Sequence, residues 1–230
     1  MAVIPWPLRP VPHGDSPAAP GKDAAAASAW ALVRSRRTVL PKRLVAPGPS
    51  GAELSAILDA AAHAPDHGQL LPWRFVLVPE AARAALAEVF AQALTERDAA
   101  ALPEQLALAR EKAYRAPLLL LAVVDTGRGD PRVDLPERLV SAGCALQNML
   151  LMATAQGYGS ALTSGRALKS AGLRALFGLG PQELALCFLS IGTVQARKAA
   201  ARVRPGAGSY VSTLGADGVV QPFDPAEGRG

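Results

Sequence analysis

From Ala116 to Val124 the chain reads "APLLLLAVV", with no polar side chain before Asp125. A strand with one face in water alternates apolar and polar residues. A run this continuous belongs to a strand covered on both faces. "ELALCFLSIGTV" (Glu183–Val194) carries the same signature, and "WRFVLVP" (Trp73–Pro79) is a shorter strand bounded by prolines. Buried strands of this kind require helices on both sides of the sheet, in an α/β or α+β domain. A chain of 230 residues, half of them hydrophobic, is long enough and apolar enough to bury that core.

Between the strands the helices announce themselves by period and by caps. The first is expected from about Ala24 to Arg36. "LPKRLVAPGPSG" follows as a loop, in which Ser50 with Glu53 three residues on forms a capping box. That box opens a helix with Leu54, Ile57, Leu58 and Ala61 on one stripe, and Pro65 is expected to end it. Two alanine-rich helices are placed near 80–95 and 101–114. Asp134 caps a long helix reaching about Gln156, with Leu139, Ala142, Leu146, Met149 and Ala153 along its buried stripe. "GYGSALTSG" reads as a loop or short strand, and "LKSAGLRALFG" as a helix. Residues 1–23, with six prolines, form an arm; 24–214 form the domain; 215–230 form a flexible tail.

The same residues exclude several classes of protein. The arm has no continuous apolar core and reads as no signal peptide. No charge occurs from Leu139 to Gly165, yet Ser141, Gln147, Asn148, Thr154 and Gln156 interrupt that stretch, so it is a buried helix and not a membrane span. The net charge of +5, from 24 basic against 19 acidic residues, is not bunched, which argues against a nucleic-acid partner. The two cysteines, Cys144 and Cys187, stand apart in apolar surroundings and suggest free thiols in the cytoplasm.

No GxSxG, HExxH, Walker loop or GxGxxG is present, and three histidines make a protein-only metal site improbable. Chemistry then requires an organic cofactor that brings its own reactivity. Four patches are suited to hold one. "RSRRT" (Arg34–Thr38) joins guanidinium groups to a hydroxyl, as a phosphate requires. His63, Asp66, His67 and Gln69 set donors and acceptors around a turn between Pro65 and Pro72. "LTSG" (Leu162–Gly165) offers hydroxyl and backbone groups, and "RKAAARVRP" contributes Arg197, Lys198, Arg202 and Arg204. Each patch also has a plainer reading, as a turn or as a solvated helix end or face.

Taken in order, "RSRRT", "APDHGQLLPWRF", "AGCALQNMLLMATAQGYGSALTSG" and "LSIGT" resemble the FMN-dependent nitroreductase family, and within it a compact bacterial branch of NAD(P)H nitroreductases. The resemblance covers roughly Ala29 to Val211. It implies an α+β fold, an α/β/α sandwich whose central, mostly antiparallel sheet is flanked by helices, in a homodimer with FMN at the subunit interface. Arg36, Arg37 and Thr38 match the stretch that holds the flavin phosphate and ribityl chain. His63 and His67 match positions facing the flavin, and Gln69 a ring contact. Leu162, Thr163 and Ser164 match the second FMN segment. Met152, Ala153, Thr154, Ala155, Gln156 and Gly157 match a stretch assigned to NAD(P).

The activity implied is hydride transfer from NADH or NADPH through flavin N5 to a nitroaromatic, quinone or related acceptor, by a ping-pong cycle without a catalytic side chain. Enone reduction, dehalogenation, flavin breakdown and non-catalytic flavin binding are the alternatives on the same fold. The chain departs from the branch at His63, where close relatives carry arginine, and at Leu40, where they carry a basic residue that Lys42 or Arg43 could replace. A positive or donor group near the reduced flavin is then expected from His67, or from protonated His63.

Overall fold

The computed structural model describes residues 21–195 and 203–224. By its contacts the chain divides into two compact units, Met1–Gln195 and Ala196–Gly230.

The first unit is built on the apolar run seen in the sequence. That run forms β3 (Leu118–Asp125), which pairs on one side with β2 (Trp73–Leu77) and on the other with β5 (Glu183–Val194). β1 (Leu44–Val45) and β4 (Gly159–Thr163) also pair with β5, and every pairing in this five-stranded sheet is antiparallel. The continuity of β3 follows from its two-sided burial. Leu120, Ala122 and Val124 join one core, and Leu119, Leu121 and Val123 join the other. Fully burying one such leucine contributes about 1.5–3 kcal/mol.

Helices α2 (Gly51–Ala61) and α5 (Leu135–Ala155) cover the first face with Ile57, Ala145, Leu146 and Met149. α3 (Arg83–Arg97) and α6 (Ala171–Leu176) cover the second with Leu86, Ala87 and Leu173, and α4 (Pro103–Glu111) lies against α3. Phe188 centres this second core, its ring edge-on to Phe90 at 5.6 Å and to Phe177 at 6.1 Å between centroids. The result is the α/β/α sandwich with an antiparallel sheet that the resemblance implies.

Local signals act where they stand in the sequence. Ser50 accepts the Glu53 amide and Glu53 accepts that of Ser50, so the capping box of α2 is closed at both ends. Asp134 caps α5 by accepting the Glu137 amide. α2 ends at Ala61, before Pro65, because the amides of Ala62, His63 and Ala64 turn to carbonyls three residues back. The helix expected over "LKSAGLRALFG" (168–178) is instead the end of a 3-10 turn followed by α6, since Ser170 accepts the Leu173 amide and starts a new helix.

α1 (Lys22–Ser35) has no buried residue; it lies beside α5 with Trp30 and Val33 exposed. In the second unit, β6 (Ser212–Leu214) pairs with β7 (Val220–Pro222). Residues 220–222, expected within a flexible tail, are therefore the return strand of a hairpin, closed by Gly218 at φ 79°. The N-terminal arm lies outside the described residues, apart from Gly21, Lys22 and Asp23.

Candidate functional site

The segment between α2 and β2 is a braced turn. Asp66 accepts the Leu71 amide at 2.7 Å through its side chain and the Gln69 amide at 3.1 Å through its carbonyl. Ser141 of α5 donates to the Pro65 carbonyl at 2.7 Å, which fixes the turn to the first helical layer. Trp73 then enters the core. Within this frame Gly68, Gln69 and Leu71 all take left-handed backbone, at φ 71°, 52° and 45°. For the two non-glycine residues that conformation costs on the order of 1 kcal/mol each. Strain held in place by surrounding bonds is common where a surface is preorganised for a ligand. His67 and Gln69 stand exposed on the turn, and His63 stands exposed just before it.

His67 is not isolated. Its Nδ1 is hydrogen-bonded to Glu137 Oε2, from the first turn of α5. That bond and the carboxylate's charge hold the imidazole above the ordinary histidine pKa, with smaller help from Asp130 and Asp66. Asp130 is itself bonded to Arg132 at 2.8 Å, which keeps its carboxyl below the usual range. The loop carrying Asp130 is tied down by the buried Arg138, whose guanidinium donates to the carbonyls of Val133, Arg128 and Asp130 at 2.9, 2.7 and 2.9 Å. Glu137 carried no signal of this role in the sequence, where it reads only as an acid suited to a helix start.

A second group gathers where β4 begins. The Val39 amide donates to the Ser160 carbonyl at 2.9 Å and Thr38 bridges Ser160, so the "RSRRT" segment is laid along β4. A pair of glycines makes the approach possible. Gly159 and Gly192 face each other in the β4–β5 register. A Cβ on Gly159 would stand 2.6 Å from Val194 Cγ2 and 2.8 Å from Leu44 Cδ2; one on Gly192 would stand 2.6 Å from Pro117 Cδ.

Arg34 lies over the Trp30 ring at 5.6 Å, and Arg36 is half-buried at the end of α1. Arg37 and Thr38 are exposed, as are Leu162, Thr163 and Ser164 at the far end of β4. The Ser160 hydroxyl is buried without a partner among the described residues. An exposed guanidinium next in the chain to the exposed Thr38 hydroxyl, on a segment bridged to the strand that carries Thr163 and Ser164, offers donors of the kind that fit a phosphate and a polyol chain.

The stretch 152–157 closes α5. Ala153 is fully buried and Met152 half-buried, while Ala155 is exposed. Thr154 donates to the Leu150 carbonyl at 2.7 Å. Gln156 donates to the Glu53 carbonyl at 3.3 Å, leaving its own Oε1 unpartnered, and Gly157 at φ 87° ends the helix. At 1.5 Å per residue, α5 separates this stretch from Glu137 and His67 by about 20–30 Å. One chain therefore brings Thr38 and Ser160 together and holds the His67–Gln69 turn at the other end of the helix. Arg197, Lys198 and Arg202 lie outside the described residues, and Arg204 is exposed in the second unit.

The three-layer sandwich is the fold of solved nitroreductase-like proteins. The structure superposes on a nitroreductase-like family protein of Bacillus cereus with a TM-score of 0.69 at 19% identity, covering 80% of this chain and 95% of that one. A protein of Desulfovibrio desulfuricans solved in complex with FMN matches with a TM-score of 0.57 at 22% identity, over 76% of this chain and 91% of the other.

The sequence carries the assignment further. The nitroreductase family model matches residues 33–193. Proteins named "Putative NAD(P)H nitroreductase" from Haemophilus influenzae and, as YdjA, from Escherichia coli K12 are 34% and 36% identical. Those matches span 66% and 71% of this chain and 82% and 87% of theirs. The chain belongs to the nitroreductase family.

Proposed function

We propose that the protein takes reducing equivalents from NADH or NADPH and delivers them to an oxidised small molecule, such as a nitroaromatic or a quinone, in a ping-pong cycle. Membership of the family makes it an NAD(P)H-dependent flavin oxidoreductase with FMN as cofactor. Bound FMN supplies two-electron chemistry at N5. The protein's own part is to hold, orient and electrostatically support it.

The observation that carries this reading is the contact of Thr38 and Val39 with Ser160. It sets Arg37 and Thr38 beside the strand that ends in Leu162, Thr163 and Ser164, and these are the groups assigned to the phosphate and ribityl chain, with Arg36 behind them. His67 and Gln69 are assigned to the ring, with His63 close by in the chain, and residues 152–157 to the nicotinamide nucleotide.

The distance along α5 between the two groups supports a site completed by a second copy of the chain, each copy supplying one end. The exposed Trp30 and Val33 of α1 and the exposed Val140 of α5 support the same homodimer. A nicotinamide donor is an intracellular reductant, and two free cysteines suit a reducing compartment; the cytoplasm follows as the proposed location. Among the described residues no helix is long and apolar enough to cross a membrane.

The test is the absorption spectrum of the purified protein, taken in air and then with NADH or NADPH without oxygen. Flavin bands that bleach with the nucleotide and return with a nitroaromatic support the assignment. A colourless protein that takes up no added FMN defeats it.

A further inference from the structure

We propose that Glu137 is a positioning residue that fixes the His67 imidazole through Nδ1, so that Nε2 is the nitrogen offered to the flavin and the strength of FMN binding follows the protonation of His67. The inference rests on the assignment of His67 to the flavin site made above.

The geometry leaves one ring nitrogen for a ligand. Nδ1 is engaged by Glu137 Oε2, and the His67 side chain is still 69% exposed, so Nε2 is reachable. The backbone beneath the ring is rigid. Asp66 clamps the Leu71 amide, Ser141 holds Pro65, and Gly68 and Gln69 are set in left-handed conformation. Glu137 is equally fixed, its amide bonded to the Asp134 cap in the first turn of α5.

With Nδ1–H donated to a carboxylate, the two charge states of the ring differ at Nε2. The imidazolium carries an Nε2–H donor and a positive charge, whereas the neutral ring presents a bare acceptor there. A flavin held near Nε2 meets a donor below the imidazole pKa and an acceptor above it.

The charged groups that face His67 all work in one direction. Glu137 favours the imidazolium most strongly, through its hydrogen bond and then its charge; partial desolvation opposes it, and Asp130 and Asp66 add smaller support. Arg132 and Arg138 stand behind Asp130 and keep its carboxyl ionised. The donor at Nε2 therefore persists to higher pH than a solvated histidine would allow.

The experiment follows two readouts in wild type, Glu137→Gln and His67→Gln: the imidazole titration by NMR, and the FMN dissociation constant from flavin fluorescence between pH 5.5 and 9. In wild type FMN is expected to bind about tenfold more weakly above the His67 titration than below it, the weight of one charge-assisted hydrogen bond. Glu137→Gln keeps the shape and removes the charge. It is expected to move the imidazole titration and the step in FMN affinity to lower pH together.

His67→Gln is expected to remove the step while flavin still binds. FMN affinity that is flat with pH in wild type, or an imidazole titration unmoved in Glu137→Gln, overturns the inference and leaves the flavin assignment standing. Failure to bind FMN at any pH overturns both.

Discussion

Arg138 Nη2 donates to the Asp130 carbonyl at 2.9 Å, and the same guanidinium holds the carbonyls of Val133 and Arg128. Arg138 is 1% exposed, yet the hydrogen bonds of its guanidinium all go to backbone carbonyls of a single loop and none to a carboxylate. The loop from Asp125 to Asp134 thus has its own internal post, and it brings Asp130 towards His67.

Removing that post leaves several carbonyls without a partner. Arg138→Met is expected to destabilise the protein by about 3 kcal/mol or more. Limited proteolysis is expected to cut between Asp125 and Asp134, where wild type resists. Denaturant melts and cleavage mapping check both effects.

The Glu53 carboxylate accepts the Ser50 amide at 2.8 Å and the Tyr158 hydroxyl at 2.9 Å. The Ser50 bonds and then the Tyr158 bond hold its pKa below the ordinary carboxylate value of 4.5. The folded state therefore releases this proton more readily than the unfolded chain. Its stabilising contribution is complete above the unfolded pKa and disappears as pH falls through the folded one. Tyr158→Phe is expected to lower the melting temperature at pH 7 and to narrow the difference between pH 7 and pH 3. Thermal melts at the two pH values measure it.

Gly192 is expected to tolerate no side chain. A Cβ would meet Pro117 Cδ and Cγ at 2.6 and 2.8 Å and the Val45 carbonyl at 3.1 Å, and neither the ring nor the backbone can step aside cheaply. Gly192→Ala is expected to cost about 1–3 kcal/mol as an overpacked site. It is also expected to weaken FMN binding, because the displaced segment leads back to Thr38. Gly51→Ala, where nothing lies within 4 Å of the added carbon, serves as the control.

Cys187 is buried in the first core, and burial pushes its thiol up to about 11. Hardly any thiolate exists near pH 8, so a thiol reagent is expected to leave Cys187 unmodified in the native protein and to label it once urea is added. Mass spectrometry of the peptide reads the difference.

Much of the framework was legible because its causes are local. Ser50 with Glu53, and Asp134 ahead of an apolar stripe, mark helix starts through bonds that span three residues. The run before Asp125 declares two-sided burial within one strand. β1 escaped notice because two residues, Leu44 and Val45, carry no period; their pairing with Val194 and Thr193 comes from the opposite end of the unit. The end of α2 was read from Pro65, but the helix closes at Ala61, where the backbone's own three-residue bonds outbid a proline still to come.

Within the candidate site, the residue types at 36–38, 63–69 and 162–164 were visible. The partner that sets the state of His67 was not. Glu137 lies 70 residues further along, and no spacing rule links an imidazole on a turn to an acid at a helix start.

The helix from Lys22 to Ser35 contributes nothing to either core, and a free helix of this length is marginal in water. α5 beside it supplies part of its order, and the proposed homodimer would supply more by covering Trp30 and Val33. For the part that a second copy supplies, dilution acts on this helix as a denaturant does, while the sandwich behind it stays intact.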